Sequence, residues 1–211
     1  MGKIKVVSFD LEGTLVTHRF SQAVWYAGIP SLYARRNGIG FEEATAIVES
    51  EYEEVGDQRM EWYDIKYWFQ RFQLGDYREV LEGHRDSVAL YPDAIDALSS
   101  LGEDYTLIVT SGSSREFLPY LLAQVAGYFA RTFSSVSDYH QLKDRALYAT
   151  VCREMNVLPS EMVHIGDSWQ FDFLAAREAG IDAFHLDRTG EVGHDRSLQS
   201  LLQLRARLQN K

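Results

Sequence analysis

A chain of 211 residues can build one sizeable hydrophobic core, or one core with a small insert. Its 45% hydrophobic content is too high for a disordered chain. The net charge of −10, with no basic run longer than Arg35-Arg36, excludes an ordinary nucleic-acid binder, which must neutralise phosphates with a basic surface.

Ile4 to Phe9 is a short β-rich run ending at Asp10 and reads as a buried strand. Residues 17–88 hold no strand pattern, and their apolar periodicity is helical. Phe41, Ala44, Val48, Tyr52 and Val55 make one stripe; Trp62, Ile65, Phe69 and Phe72 make another. A helix is expected from Pro92-Asp93 to Gly102, then a strand over Tyr105 to Val109 and a weaker one at Arg131 to Phe133. A helix from Asp144 to Met155 leads to a strand at Met162 to Ile165. A helix from Gln170 to Ala179, closed by Gly180, leads to a strand at Ala183 to Leu186. Ser197 to Leu208 reads as a last amphipathic helix. Alternation of this kind predicts an α/β fold, a Rossmann-like parallel sheet with helices on both faces. Residues 1–16 and 89–211 would form this core and residues 17–88 an inserted all-helical cap. No apolar run approaches the ~20 residues of a membrane span. The first strand lies so close to Met1 that no signal peptide is expected, and the lone Cys152 allows no intrachain disulfide, so a cytoplasmic protein is expected.

Open α/β sheets bind ligands beyond the carboxyl ends of their strands, and four groups of residues fall there. Asp10-Leu11-Glu12-Gly13-Thr14 follows the first strand, and a carboxylate there can attack phosphorus while a second carboxylic acid moves protons. Thr110-Ser111-Gly112-Ser113 follows the second, where hydroxyls and free N–H groups suit a phosphate. Lys143 stands at a helix start, a poor match to the helix dipole unless it reaches toward an anion. Gly166-Asp167 follows the third strong strand, with Asp172 about a helical turn on. Crowded carboxylates repel, and an oxygen-only set that leaves room for water favours Mg²⁺. Each group alone also reads as a turn, a helix cap or a solvated side chain. Only this one edge of the sheet could bring all four together.

Together they resemble the haloacid dehalogenase-like superfamily, mostly phosphatases, over essentially the whole chain. Asp10-Leu11-Glu12-Gly13-Thr14 is similar to its first motif, Thr110-Ser111-Gly112 to the second, Lys143 to the third, and Gly166-Asp167 with Asp172 to the fourth. The resemblance implies Asp10 as nucleophile and metal ligand, Glu12 as acid/base with its backbone carbonyl on the metal, and Asp167 as a further ligand. Asp172 would be a ligand directly or through water. Thr110 or Ser111, with Gly112 and Lys143, would hold the phosphate. Two positions depart from the pattern: Glu12 stands where most phosphatases of the family carry Asp, and Asp144 where many relatives have Pro. The implied activity is Mg²⁺-dependent hydrolysis of a small phosphorylated metabolite. A phosphomutase, or a non-catalytic protein binding a phosphorylated ligand, are the alternatives. Of the insert's aromatics Trp25, Tyr26, Tyr33, Trp62, Tyr63, Tyr67, Trp68, Phe69 and Phe72, most are expected in its core and a few over the substrate. His18, Arg19, Arg35 and Arg36 could meet an anionic substrate.

Overall fold

The structure is a computed structural model that describes residues 3–209; the outermost residues of the expected core, 1–2 and 210–211, lie outside it. Six strands form one sheet: β1 (Val6–Phe9), β2 (Thr106–Ser111), β3 (Arg131–Ser134), β4 (Met162–Gly166), β5 (Asp182–Leu186) and β6 (Ser197–Leu198). Their order is β3-β2-β1-β4-β5-β6, and every neighbouring pair is parallel. The α/β class expected from the alternating pattern is therefore the one observed.

The strands are apolar on both sides because helices cover both faces. Val7, Phe9, Val109, Ile165 and Phe184 pack into one buried cluster, and Val6, Ile108, Met162 and Ala183 into the other. From β1 the chain builds outward one way through β2 and β3, then the other way through β4 to β6. Such a switch point opens a crevice at the strands' carboxyl ends. The ends of β1, β2 and β4 stand level, with Phe9 paired to both Val109 and Ile165.

Between β1 and β2 runs a helical segment: α1 (Arg19–Ala23), a π-helical turn (Val24–Gly28), α2 (Ile29–Asn37), α3 (Phe41–Val55), α4 (Ile65–Arg71) and α5 (Tyr77–His84). No strand of the sheet falls within residues 17–88. The segment leaves and rejoins the sheet at one place. There Thr17 N donates to Ala89 O at 2.8 Å and Tyr91 N to Leu15 O at 2.9 Å. Ala44, Val48, Tyr52 and Val55 form the buried stripe of α3 as expected, but Phe41, at the helix's first position, stays 48% exposed. Trp62 falls outside α4, in a single 3₁₀ turn (Met60–Tyr63), while Ile65, Trp68 and Phe69 are buried.

The remaining helices are α6 (Ala94–Gly102), α7 (Leu118–Leu121), α8 (Ser135–Asp138), α9 (Arg145–Glu154), α10 (Ala175–Glu178) and α11 (Leu202–Gln209). Two expectations are corrected. Ser197-Leu198 is not helical but pairs with His185-Leu186 as a sixth strand, and α11 starts only at Leu202. The reason is Asp93, whose carboxylate accepts from Ser200 Oγ and Leu201 N at 2.7 and 2.9 Å and holds the chain extended ahead of the helix. The helix expected from Gln170 begins instead as a π-helical turn (Trp169–Leu174) before α10. Among the described residues no helix is long and apolar enough to cross a membrane.

Candidate active site

Asp10 leaves β1 with its backbone N–H bonded to Ile165 O at 2.9 Å and its side chain 7% exposed. The chain then reverses through Gly13, whose φ of +80° disfavours an L side chain. A Cβ on Gly13 would also lie 2.1 Å from Asp167 Oδ2, so the missing side chain lets the β1 and β4 loops touch. Gly166 closes β4 for a related reason, since a Cβ there would meet Asp172 Cγ at 2.2 Å. Ser168 caps the π-helical turn, its Oγ accepting from Phe171 N, and this carries Asp172 back under the strand end. Single π turns of this kind occur often at functional sites.

Lys143 joins the two groups of carboxylates. It lies just before α9, whose N-cap is Asp144, with Oδ1 accepting from Leu147 N at 2.8 Å. That cap explains an aspartate following the lysine. The Lys143 ammonium is buried and donates to Asp10 Oδ1 at 2.6 Å and to Asp172 Oδ1. Burial pulls Lys143 downward, but Asp10 and Asp172 outweigh it and raise its pKa. For Asp172 burial pushes upward, and the Lys143 charge with the His164 contact overcomes it, so its pKa falls. Burial drives Asp10 up; Lys143 opposes this, and the Asp172 and Asp167 charges reinforce it, so the net shift is upward. One ammonium does not offset three crowded carboxylates.

The oxygen set fits a hard divalent cation. Asp10, Asp167 and Asp172 each offer a carboxylate oxygen, all within 4.8 Å of one another. The three are not equivalent. Both oxygens of Asp172 already accept hydrogen bonds, Oδ1 from Lys143 and Oδ2 from Ser168 N at 3.0 Å. Asp167 is more open, touched by Thr14 Oγ1 at 3.4 Å and His18 Nε2 at 3.7 Å.

Glu12 faces the same space. Its Oε2 accepts from Ser113 Oγ at 3.1 Å, and its Oε1 is buried with no partner among the described residues. Burial raises its pKa against the opposing pull of Ser21, His18 and Ser113.

Asp10, Glu12, Ser111, Gly112, Lys143, Asp167 and Asp172 all line one cavity of about 440 Å³, roofed by residues of the helical segment. Thr110 does not reach it. Side chains alternate along a strand, and Thr110 faces away into the sheet, fully buried, where Ser8 Oγ donates to its hydroxyl at 2.9 Å. Ser111 is the hydroxyl that reaches the cavity. Of the four basic residues that could meet an anionic substrate, only His18 lines the cavity; Arg19, Arg35 and Arg36 do not. Sequence reasoning missed His164 and Tyr148. His164 is fully buried, with Nε2 at 3.1 Å from Asp172 Oδ1 and at 2.9 Å from the Tyr148 hydroxyl. The available signal was a lone imidazole inside the apolar run of β4.

Residues 4–180 match the haloacid dehalogenase-like hydrolase family, and the chain belongs to it. A HAD phosphatase from Thermococcus onnurineus superimposes with a TM-score of 0.86 at 26% identity, covering 97% of this chain and 98% of that one. A phosphoglycolate phosphatase from Chromobacterium violaceum is 27% identical, over 95% of each chain. One from Vibrio vulnificus is 25% identical, over 87% of this chain and 84% of its own. The protein is thus a hydrolase of the phosphatase type of this family.

Proposed function

We propose that the protein hydrolyses a small phosphate monoester through a phosphoryl group carried on Asp10, with Mg²⁺ held by Asp10 and Asp167 and reached by Asp172 through water. The observation that carries this reading is the Lys143 bridge. It fixes Oδ1 of Asp10 at 2.6 Å and leaves Oδ2 as the attacking oxygen. Bound there, the cation neutralises charge on the transferring phosphoryl oxygens. The backbone carbonyl of Glu12 completes the protein ligands on this reading.

Asp10 Oδ2 forms a bond to phosphorus as the ester P–O bond breaks, and Glu12 gives its proton to the departing alkoxide oxygen. Water then loses a proton to the Glu12 carboxylate and attacks phosphorus. The Asp10–phosphorus bond breaks, inorganic phosphate leaves, and Asp10 and Glu12 return to their starting states. Ser111 and the Gly112 backbone, with Lys143, hold the phosphoryl oxygens. The helical segment, residues 17–88, acts as a cap that encloses the ester and keeps bulk water out.

Incubating the purified chain with phosphorylated metabolites and Mg²⁺ tests the proposal through released phosphate. Turnover is expected to stop with a chelator, return with Mg²⁺, and be absent in Asp10→Asn. An Asp10→Asn variant as fast as the parent would refute the assignment.

A further inference from the structure

The cavity wall opposite the carboxylates is aromatic, and the chemistry above does not require it to be. Trp25 and Tyr26 come from the first π-helical turn, Trp62 and Tyr63 from the turn before α4, and Phe117 from the segment after β2. Trp25 lies flat on Phe117, with ring centroids 5.4 Å apart and planes at 13°. Tyr52, Trp68 and Phe72 are buried against one another at the centre of the helical segment; Trp25, Tyr26 and Trp62 each touch Tyr52 edge-on, with ring centroids 6.0 Å apart, and also line the cavity. Trp25, Trp62 and Tyr63 remain only partly buried, and Tyr26 is 43% exposed. Partly exposed rings drawn from separate segments to one cavity present flat apolar surface to whatever fills it.

Charge points the same way. Among the described residues the only basic side chains lining the cavity are Lys143, which is committed to Asp10 and Asp172, and His18, which faces Asp167. No guanidinium waits for a second anionic group on the substrate. A carboxylate beyond the phosphate would lie against the aromatic wall, losing water with no uncommitted cation among the described residues lining the cavity to pair it.

Resting on the phosphatase reading, we propose that the substrate is a phosphate monoester whose alcohol carries a flat, uncharged ring, seated against Trp25, Tyr26, Trp62 and Tyr63. Small esters bearing a second anion, such as the phosphoglycolate of the relatives' names, are excluded as good substrates. The rings bind the leaving alcohol, and a further negative charge would be desolvated there without a partner.

The test compares benzyl phosphate, ethyl phosphate and 2-phosphoglycolate on the full chain with Mg²⁺. Benzyl and ethyl alcohol are of similar acidity as leaving groups, so their ratio reads ring binding rather than bond breaking. The kcat/KM for benzyl phosphate should exceed that for the other two by about tenfold or more. In Tyr26→Ala, altered at a position 43% exposed and with the fold checked by far-ultraviolet dichroism, the benzyl-to-ethyl ratio should fall several-fold. A parent ratio near one, phosphoglycolate turned over as well as benzyl phosphate, or a ratio unmoved in Tyr26→Ala would each overturn the aromatic assignment alone. Failure to turn over any of the three esters would overturn the phosphatase reading with it.

Discussion

His164 Nε2 sits 3.1 Å from Asp172 Oδ1, both side chains wholly excluded from solvent. The Lys143 ammonium meets the same carboxylate oxygen, so the imidazole acts on Asp10 at one remove. The Tyr148 hydroxyl lies against His164 Nε2 and donates to Phe171 O at 3.0 Å, and His164 Nδ1 is 2.9 Å from Ser8 Oγ. Besides the lysine, three groups hold this carboxylate, His164 and the Tyr148 hydroxyl on Oδ1 at 3.1 and 3.4 Å and the Ser168 amide on Oδ2 at 3.0 Å, and the carboxylate in turn fixes the lysine.

His164→Leu should accordingly cost about 1–3 kcal/mol of stability, because Asp172, Tyr148 and Ser8 each lose a partner in a place water does not reach. Urea unfolding reads this. The kcat should fall by about tenfold or more while KM changes little, since the loss concerns the orientation of Lys143 rather than ester binding. Tyr148→Phe should show the same pattern more weakly. A His164→Leu enzyme with parental kcat would show that the imidazole only fills space.

Gly166→Ala and Gly13→Ala test the close approaches at the strand ends. The added methyl would fall 2.2 Å from Asp172 Cγ in the first and 2.1 Å from Asp167 Oδ2 in the second, where the positive φ adds strain. A carboxylate displaced by about 1 Å can cost about 10²-fold in rate. Each variant should keep its far-ultraviolet dichroism and lose activity on that scale, with a raised Mg²⁺ requirement. Parental activity in either would mean that the carboxylates can shift without consequence.

Stability at acid pH should depend on Asp93. Burial pushes its carboxyl up, but Arg188, Ser200 and the Leu201 amide overcome this and hold it below its ordinary value. Arg188 forks onto both oxygens at 3.0 and 3.1 Å, tying α6 to the segment after β5. A carboxylate with a depressed folded pKa contributes its full stability above the unfolded value, about 3.9 for Asp, and loses it as the pH falls through the folded value. Asp93→Asn should thus be less stable than the parent by about 1–3 kcal/mol at pH 7. The gap should close as the pH drops below about 4, toward the folded value. Denaturant midpoints at several pH values measure it; a gap independent of pH would contradict the assignment.

The sheet was legible because each central strand is a compact apolar run, and its carboxyl end announces itself by Asp10, Ser111-Gly112 or Gly166-Asp167. Strand β6 was not, because two residues leave no periodicity and their conformation depends on Asp93, about a hundred positions away. The π-helical turn at Trp169–Leu174 was hidden by a pattern that suits an ordinary helix as well. Thr110 and Ser111 could not be separated by type; only the alternation of β2 decides which hydroxyl faces the cavity. The aromatics of the insert were visible as a group, but which of them leave the core for the cavity depends on how the helices pack. His164 escaped because its partner Asp172 is brought to it by the turn, not by spacing along a regular helix.

Trapping the phosphoryl group on Asp10 tests the central proposal most directly. An acyl phosphate is reduced by borohydride, while a free carboxylate is not, so quenching the enzyme in borohydride during turnover marks the residue that carried phosphorus. Peptide mass spectrometry should find Asp10 converted to the alcohol in the parent, and more of it in Glu12→Gln given an aryl phosphate, whose leaving group departs without a proton while the base that activates water is gone. The mark should be absent in Asp10→Asn and in parent enzyme without substrate. An unmarked Asp10 during active phosphate release, or the mark on another residue, would contradict the account.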